Sequence, residues 1–217
     1  MCGRYSLRVN AGIEVPGIDC ALPTFSDRYN LCPSQDGIIV RLNAEGELYA
    51  SLAKWGFAPG WMKDASKAQI NARGETVAEK PMFRSAFKRE RCLVLLDGFY
   101  EWDRSVKPSQ PYYIEHRDGV GFAAAGLWSS REKEDGSAEL TYAIITTGPN
   151  KMMEPIHNRM PVVLEEGDFR TWLDPKTDPE TLKGLLVPCP DDLLVAHPVS
   201  RRVNSPANDA PDLLRPE

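Results

Sequence analysis

Short β-type segments separated by turn residues are the feature that most limits how this chain can fold. Its longest unbroken apolar stretch is Phe122–Trp128, far below the roughly 20 residues that a membrane-spanning helix needs. We therefore expect no membrane association. Segments rich in β-branched and aromatic residues recur along the chain, with turn residues between them. They predict strands at Gly37–Leu42, Leu48–Phe57, Cys92–Trp102, Tyr112–His116, Gly121–Ser129 and Leu140–Thr147.

Turn and helix signals complete this pattern. Asp118–Gly119 and Asp135–Gly136 each separate two strand candidates and predict hairpins. Asp178 followed by Pro179 is typical of a helix N-cap and first helical residue. Peripheral helices are predicted at Pro81–Glu90, Glu165–Leu173 and Pro179–Leu186. The 217 residues thus predict one α+β domain over residues 1–217, with a mostly antiparallel, barrel-like or sandwich-like core. Residues 206–217 are expected to form a loose C-terminal tail.

The net charge of the chain is −5, which argues against simple binding of nucleic acid by a broadly basic surface. The charge is uneven, however. From Lys54 to Cys92, nine Lys or Arg residues stand against four Asp or Glu residues, so that this segment has a charge of +5 and the remainder −10. The segment is either a solvated surface or a basic groove that recruits a polyanion.

The five cysteines are widely spaced, and none forms a Cys-x-x-Cys pair. Their pattern predicts neither a disulfide framework nor a zinc cluster. We expect no metal and no cofactor. The start of the chain lacks the charged and apolar regions of a secretory signal, so a cytoplasmic location is expected.

Cys2 differs from the other cysteines because of its position. A small residue after the initiator Met normally permits removal of that Met, and the mature chain would then begin with a cysteine. The reference pKa values of its amine and thiol, about 8 and about 8.5, make both groups partly reactive near neutral pH. Such a 1,2-aminothiol captures an aldehyde, first as a Schiff base and then as a thiazolidine ring. The alternative is an accidental Cys at a frayed terminus.

Asn71 and Arg73 lie two residues apart in Ile70–Thr76, so an extended backbone places them on one face. Arg can bind a phosphate with two hydrogen bonds, and Asn can orient an amine or a hydroxyl. The alternative is a surface turn with a structural Asn.

Glu101 follows the apolar residues Leu93–Leu96 and lies between Tyr100 and Trp102. Partial desolvation would raise its pKa and suit it to acid–base catalysis, whereas an outward-facing Glu on a half-buried strand is the alternative.

Two further features have candidate roles. His157 lies between Pro155 and Pro161, which predict a rigid loop that presents His157 and Arg159 for proton transfer or hydroxyl binding. Trp61 ends a motif with two Gly and one Pro, so a loop position is expected for it. A loop aromatic near Lys and Arg is suited to stacking on exposed bases, although a lone aromatic is more often part of a core.

Seven motifs occur in order along almost the whole chain: Met1–Tyr5, Arg28–Pro33, Trp55–Trp61, Ile70–Thr76, Gly98–Trp102, His157–Pro161 and His197–Ser200. Together they resemble the SOS response-associated peptidase (SRAP) family, the abasic-site DNA–protein crosslinking proteins. Each motif alone is weak, whereas seven in one order are specific. The resemblance implies a SRAP fold with a β-rich core and a positively charged cleft for single-stranded DNA.

The resemblance also implies roles for individual residues. Cys2 would form a thiazolidine crosslink with the ring-opened aldehyde of an abasic site. Asn71 would position the Cys2 terminus and the opened sugar, and Glu101 would transfer protons. His157 would promote ring opening or contact the sugar hydroxyl. The implied DNA contacts are Arg73, as a phosphate ligand, and Arg4, Pro33, Trp61, Arg84 and Thr147.

The sequence leaves three functions open. The first is the covalent DNA crosslinker with lyase-type Schiff-base chemistry, of which a lyase with only a transient Schiff base is a variant. The second is a cysteine peptidase that uses Cys2 with Glu101 and His157, on Met1 or on other proteins. The third is a module that binds single-stranded DNA without covalent chemistry. In each case we expect a monomer.

Overall fold

The computed structural model describes residues 2–133 and 135–217, apart from the side chain of Ala65. Within these residues the chain forms thirteen strands, three short α-helices and four 3₁₀ turns. The strands are β1 (Tyr5–Leu7), β2 (Arg28–Leu31), β3 (Asp36–Leu42), β4 (Leu48–Trp55), β5 (Asn71–Arg73), β6 (Arg91–Leu96), β7 (Gly98–Asp103), β8 (Gln110–His116), β9 (Phe122–Glu132), β10 (Ala138–Thr147), β11 (Met160–Pro161), β12 (Val163–Leu164) and β13 (Leu194–Pro198). The helices are α1 (Arg84–Arg89), α2 (Phe169–Leu173) and α3 (Pro179–Gly184), and the 3₁₀ turns are Ala65–Lys67, Glu166–Asp168, Arg201–Asn204 and Pro211–Leu214. Among the described helices, each is too short to cross a membrane.

Five strands close into a barrel in the order β3, β4, β10, β9 and β6, and β6 returns to β3. Four of these five pairings are antiparallel, whereas β4 and β10 run parallel, with Lys54 opposite Thr141. The short strand β5 also pairs in parallel with β10, while β11 and β12 pair with β10 and β9. The prediction of an α+β fold with a mostly antiparallel, barrel-like core is therefore confirmed.

The second sheet has the order β13, β8, β7, β1 and β2, and all of its pairings are antiparallel. The strand β1 lies between β2 and β7, with Tyr5 opposite both Leu31 and Phe99. This arrangement holds the N-terminal segment in the middle of a sheet, where its backbone hydrogen-bonding groups are paired on both edges.

The core lies inside the barrel and between the barrel and its covering helices. Every residue of β6 is buried, as expected for a strand that is covered on both faces. The indole N–H of Trp172, on α2, donates a hydrogen bond of 2.9 Å to the carbonyl oxygen of Cys92. This contact fixes α2 against the outside of the barrel.

The predicted strand Cys92–Trp102 is two strands that belong to different sheets, so this prediction is wrong at Asp97. The Asp97 backbone N–H donates a 3.0 Å hydrogen bond to the Ser6 carbonyl oxygen, which directs the chain away from the barrel. Gly98 follows because a Cβ there would lie 2.2 Å from the Tyr113 ring. The backbone changes sheets at the point where only Gly fits.

The two predicted hairpins have different outcomes. Asp135–Gly136 turns between the paired strands β9 and β10, and Gly136 has a φ of 78°, so this prediction is confirmed. Asp118–Gly119 also turns, with a φ of 69° at Gly119. However, it connects β8 in one sheet to β9 in the other, so the hairpin predicted there is wrong.

The helices are shorter than predicted, and the C-terminal tail is ordered. Asp178 caps α3 as predicted, because its side chain accepts hydrogen bonds from the N–H groups of Glu180 and Thr181. The expected loose tail is wrong for the residues from Asp209 onward. The Asp209 carboxylate accepts hydrogen bonds from the N–H groups of Tyr29 and Asn30, at 2.6 and 2.9 Å. Leu213 is fully buried.

Candidate active site

Cys2 lies just before β1 and is fully buried. Its carbonyl oxygen accepts a hydrogen bond of 2.7 Å from the side-chain amide of Asn71 on β5. Because β5 pairs with the barrel strand β10 and β1 belongs to the second sheet, this bond joins the N-terminal segment to the barrel. Cys2 is thus held where the two sheets meet.

A pair of tyrosines fixes β1 against the barrel. The hydroxyls of Tyr5 and Tyr142 lie 2.5 Å apart, and both side chains are buried. The Tyr5 ring also makes an edge contact with Trp55, at 5.1 Å between centroids. A Cβ at Gly37 would lie 2.0 Å from the Tyr5 hydroxyl, so this glycine makes room for the pair. The anchor is three residues from Cys2 and limits how far Cys2 can move.

Asn71 and Arg73 lie on an extended segment, as the sequence predicts. Their register places Asn71 opposite Ile144 and Arg73 opposite Thr146. The side-chain oxygen of Asn71 is buried and has no hydrogen-bond partner among the described residues. It is therefore an acceptor available to an amine or hydroxyl beside Cys2. Arg73 is exposed.

Glu101 on β7 is buried, with 2% of its side chain exposed. Burial raises the pKa of its carboxyl, because the charged form loses solvation, and the positive charge of Arg104 opposes this effect only partly. The negative charge of Glu101 in turn adds to the effect of burial in raising the pKa of the Cys2 thiol. The two groups are therefore electrostatically coupled, and both favour their protonated forms.

His157 faces Glu101, with 3.8 Å between its Nε2 and the Glu101 Oε2. Its Nδ1 accepts a hydrogen bond of 3.0 Å from the Arg159 backbone N–H. The same Nδ1 lies 3.2 Å from the Arg159 carbonyl oxygen, so the loop backbone offers Nδ1 a partner in either neutral tautomer, while Nε2 faces Glu101. Burial lowers the pKa of His157 and favours the neutral form.

An ion pair that the sequence analysis missed holds the His157 loop. Arg159 donates two hydrogen bonds to the Glu75 carboxylate and a third, of 2.6 Å, to the Thr146 carbonyl oxygen. Arg159 is thus a support for the loop and not a free cation. The available signal was Glu75 itself, an acid two residues after Arg73 in a basic segment.

The candidate DNA contacts divide into two groups. The exposed side chains are Trp61, with 66% of its surface accessible, Arg73, and Arg84 at the start of α1; Pro33 after β2 is half-buried. Asn71 and Arg73 also line a cleft of about 380 Å³. The loop position predicted for Trp61 is confirmed.

The other two candidates are engaged inside the protein. The Arg4 guanidinium donates hydrogen bonds to the Asn30 side chain at 2.9 Å and to the Val203 carbonyl oxygen at 2.7 Å. Thr147 is buried, and its hydroxyl donates a hydrogen bond to the Leu186 carbonyl oxygen at 3.0 Å. The structure gives both side chains a role in holding the fold.

The sequence matches the family described as SOS response associated peptidase (SRAP) over residues 1–206. The chain belongs to this family. The abasic site processing protein YoqW of Bacillus subtilis is 40% identical to this SRAP chain, over 99% of both chains. The abasic site processing protein HMCES of Xenopus tropicalis is 36% identical over 74% of this chain and 55% of its own length. A crystal structure of a protein from Bacteroides thetaiotaomicron, 23% identical, covers both chains completely with a TM-score of 0.82 and shows the same fold.

Three elements of this SRAP domain thus supply one group each around Cys2: Asn71 from β5, Glu101 from β7 and His157 from the loop before β11. Together they offer a hydrogen-bond donor and acceptor, a buried carboxyl and a neutral imidazole. Such a set can orient a backbone group and move protons, and the exposed Arg73 lies on the same strand as Asn71. The described residues contain no cluster of three His, Cys, Asp or Glu side chains that could hold a metal ion.

Proposed function

We propose that this SRAP protein processes abasic sites in single-stranded DNA and forms a thiazolidine crosslink to the lesion through Cys2. One observation carries the proposal: the Asn71 amide donates a 2.7 Å hydrogen bond to the Cys2 carbonyl oxygen and so holds the N-terminal cysteine against the barrel. The names of the relatives YoqW and HMCES support abasic sites as the target.

The chemistry begins with hydrolysis of the Met1–Cys2 peptide bond, which frees the Cys2 amine. The amine nitrogen attacks the aldehyde carbon of the opened sugar and forms a carbinolamine. Protonation of its hydroxyl releases water and leaves an iminium ion. The Cys2 sulfur then attacks the same carbon, the thiol proton passes to a base, and the thiazolidine ring closes. One water leaves for each crosslink that forms.

The protonation state or free hydrogen-bonding capacity of each side chain near Cys2 suits it to one step of this reaction. Glu101 favours its protonated form, so it can donate the proton that releases water and later accept the thiol proton. The neutral His157 presents the Nε2 that faces Glu101 to the hydroxyl that is freed when the sugar ring opens. The Asn71 oxygen accepts a hydrogen bond from the Cys2 amine or the sugar.

The exposed residues suit a single strand. Arg73 binds the phosphate beside the lesion, and Trp61 stacks on a neighbouring base. A single strand fits this role because a thiazolidine protects it from β-elimination where no template allows excision repair. All four groups around the reacting carbon come from one chain, so we propose that the monomer is active.

Denaturing electrophoresis tests this proposal. The wild type is incubated with single-stranded DNA that has one abasic site, beside Cys2→Ala, Cys2→Ser and the matched control Cys32→Ala. We expect a heat-stable adduct with the wild type and Cys32→Ala, and none with Cys2→Ala. If the Cys2→Ala adduct is equally stable, the crosslink has another origin and the proposal is wrong.

Two further measurements test separate steps of the proposed chemistry, the removal of Met1 and the formation of the Schiff base. Intact mass must show loss of Met1, since the 1,2-aminothiol does not exist while Met1 is retained. Borohydride trapping of an imine with Cys2→Ser would reveal the Schiff-base intermediate without ring closure.

The description of the family as a peptidase favours one second candidate, cleavage of peptides by Cys2. Burial raises the pKa of the Cys2 thiol, which opposes the thiolate that a cysteine peptidase needs. Peptide cleavage that is lost in Cys2→Ala would support this candidate, and its absence in an active crosslinking preparation would exclude it.

A further inference from the structure

A second basic site lies outside the cleft, between the turn that joins β3 to β4 and the segment that contains α2. It is a basin of about 660 Å³. Its charged lining residues are the five cations Arg41, Arg89, Arg91, Arg170 and Lys176 and the two acids Glu45 and Asp174. In the part of the chain that the structure describes, none of these cations forms an ion pair with a carboxylate.

The basin brings five cations together against two acids. Elsewhere Arg28 pairs with Asp209, and Arg131 and Lys54 both pair with Glu139. The chain as a whole has 31 acids for 26 Lys and Arg, so carboxylates are abundant. Clustered like charges cost free energy through mutual repulsion. A basin with five cations against two acids, on a protein with a net negative charge, is therefore suited to binding an anion.

The basin has a fixed wall and two free cations. The Arg41 guanidinium lies over the Trp128 ring, 4.2 Å from its centroid, and donates a hydrogen bond to the Ser51 hydroxyl. Arg91 donates hydrogen bonds to three backbone carbonyl oxygens. The side chains of Arg89 and Lys176 are exposed and have no hydrogen bond among the described residues. They are the cations most available to a ligand.

The helix α1 connects this basin to the cleft. Lys80 and Phe83 line the cleft, and α1 begins at the next residue. Arg84 and Lys88 are exposed and four residues apart, so they share one face of the helix. Arg89 ends α1 and lines the basin. Six helical residues span about 9 Å, a distance that a few nucleotides cover.

We propose that the basin is a second phosphate-binding site for the same DNA strand, which runs from the cleft along the exposed face of α1. This inference rests on the proposed function, because it takes the single strand as the ligand of the cleft. The phosphates of the strand beyond the lesion supply the negative charge that the basin lacks. Trp128 and Arg41 hold the wall of the site, while Arg89 and Lys176 bind.

The test compares short and long abasic DNA. The short oligonucleotide ends within the cleft, and two longer ones extend it on the 5′ or the 3′ side. The double variant Arg89→Ala/Lys176→Ala is compared with Arg117→Ala/Arg215→Ala, which removes the same charge from exposed sites outside the basin and cleft. Neither pair makes a side-chain hydrogen bond among the described residues, so both variants are expected to fold.

We expect the wild type to bind one of the extended strands more tightly than the short one. Arg89→Ala/Lys176→Ala should lose this gain and should reduce the slope of log affinity against log salt by about 1.4, since each phosphate contact with a single strand contributes roughly 0.7. The control variant should keep both the gain and the slope. Crosslinking of the short strand should be equal in all three proteins.

The outcomes distinguish the two proposals. If the wild type forms no crosslink with any strand, the proposed function fails. If it crosslinks the short strand but binds all lengths equally, only the second site fails. Arg89→Ala/Lys176→Ala could also lose binding to inorganic phosphate while its affinity for DNA depends on strand length as in the wild type. In that case the basin binds phosphate, but the DNA strand does not run to it and the proposal is wrong.

Discussion

Asp97 and Glu101 are two buried carboxyls, four residues apart in one segment, whose surroundings differ. Asp97 has 1% of its side chain exposed and Glu101 has 2%. Burial raises the pKa of both. Asp97 accepts hydrogen bonds from the Ser6 hydroxyl and the Arg8 guanidinium, and the Tyr113 hydroxyl lies 3.4 Å away. Fixed donors and a permanent cation thus compensate its charge.

Glu101 instead faces a group that can itself change protonation. The His157 Nε2 lies 3.8 Å from its carboxylate, beyond ordinary hydrogen-bond distance. A titratable neighbour allows Glu101 to exchange a proton with a substrate. The comparison teaches that burial and a raised pKa do not by themselves identify a catalytic acid, because Asp97 shares both. What separates the two is the kind of neighbour: Asp97 lies among fixed donors and a permanent cation, whereas Glu101 faces an imidazole that can itself gain or lose a proton.

The largest expected effect is on stability at Asp97. Asp97→Ala leaves the Arg8 cation without its buried partner, so we expect the free energy of unfolding to fall by about 3–5 kcal/mol. Urea denaturation measures this loss. The exposed Asp192 is the matched control, and Asp192→Ala should change the free energy of unfolding by less than about 0.5 kcal/mol. Equal effects of the two substitutions would refute the structural role of Asp97.

In contrast to Asp97→Ala, Glu101→Gln should lower the crosslinking rate without lowering the stability. We expect the crosslinking rate to fall about 100-fold or more, because the amide cannot transfer the proton. The free energy of unfolding should stay constant or rise, since the neutral amide avoids the cost of a charged carboxylate in a buried position. Single-turnover kinetics on abasic DNA measure the rate, and urea denaturation measures the stability.

Glu115→Gln is the matched control for this prediction. Glu115 also lies 3.8 Å from a histidine, His197, but both side chains are more exposed. Its crosslinking rate should equal that of the wild type. A Glu101→Gln protein that is destabilised yet crosslinks normally would place Glu101 in the same structural class as Asp97.

The pH dependence sharpens the assignment of Glu101. Burial raises its pKa above the ordinary 4.5, so the fold favours the protonated carboxyl and keeps it to a higher pH than an exposed Glu. If this proton releases water from the carbinolamine, the contribution of Glu101 is present below its raised pKa and is lost as the pH rises through it. The ratio of wild-type to Glu101→Gln rates should then fall up to tenfold per pH unit above that pKa.

This ratio isolates Glu101, because ionisation of the Cys2 amine and thiol affects both proteins. Burial lowers the pKa of His157 below its ordinary 6.5, and His157 is present in both proteins, so its titration also affects both. Crosslinking rates from pH 4.5 to pH 8 supply the ratio. A ratio that rises with pH would identify Glu101 as a base in the rate-limiting step and contradict the assignment.

The sequence predicts the barrel-like core well and singles out candidate site residues that the fold brings together, because both depend on local signals. β-branched segments, turn residues and the chemistry of Cys2, Asn71 and Glu101 can be recognised one motif at a time. The change of sheet at Asp97 cannot, since its donors, Ser6 and Tyr113, lie 91 and 16 residues away in the sequence.

The C-terminal tail shows the same limit. Residues 206–217 are mostly polar and turn-forming, which is typical of a loose end. Their order comes from the Asp209 carboxylate, which binds the backbone N–H groups of β2 about 180 residues earlier. The Glu75–Arg159 pair is likewise invisible until the fold brings the two residues together.

The smallest expected effect tests the tyrosine anchor of β1, which belongs with Asp97 among the permanently satisfied groups. Tyr142→Phe removes the hydrogen-bond partner of the buried Tyr5 hydroxyl and should lower the free energy of unfolding by about 1–2 kcal/mol. The double variant Tyr5→Phe/Tyr142→Phe leaves no buried hydroxyl at this position, so it should be closer to the wild type than Tyr142→Phe. Urea denaturation of the three proteins gives the coupling energy.

The crosslinking rate should stay within a few-fold of wild type, because neither hydroxyl transfers a proton to the substrate. A large loss of crosslinking rate at unchanged stability would instead place the tyrosine pair in the proton-transfer group around Cys2. Tyr5 and Tyr142 would then belong with Glu101 and not with Asp97.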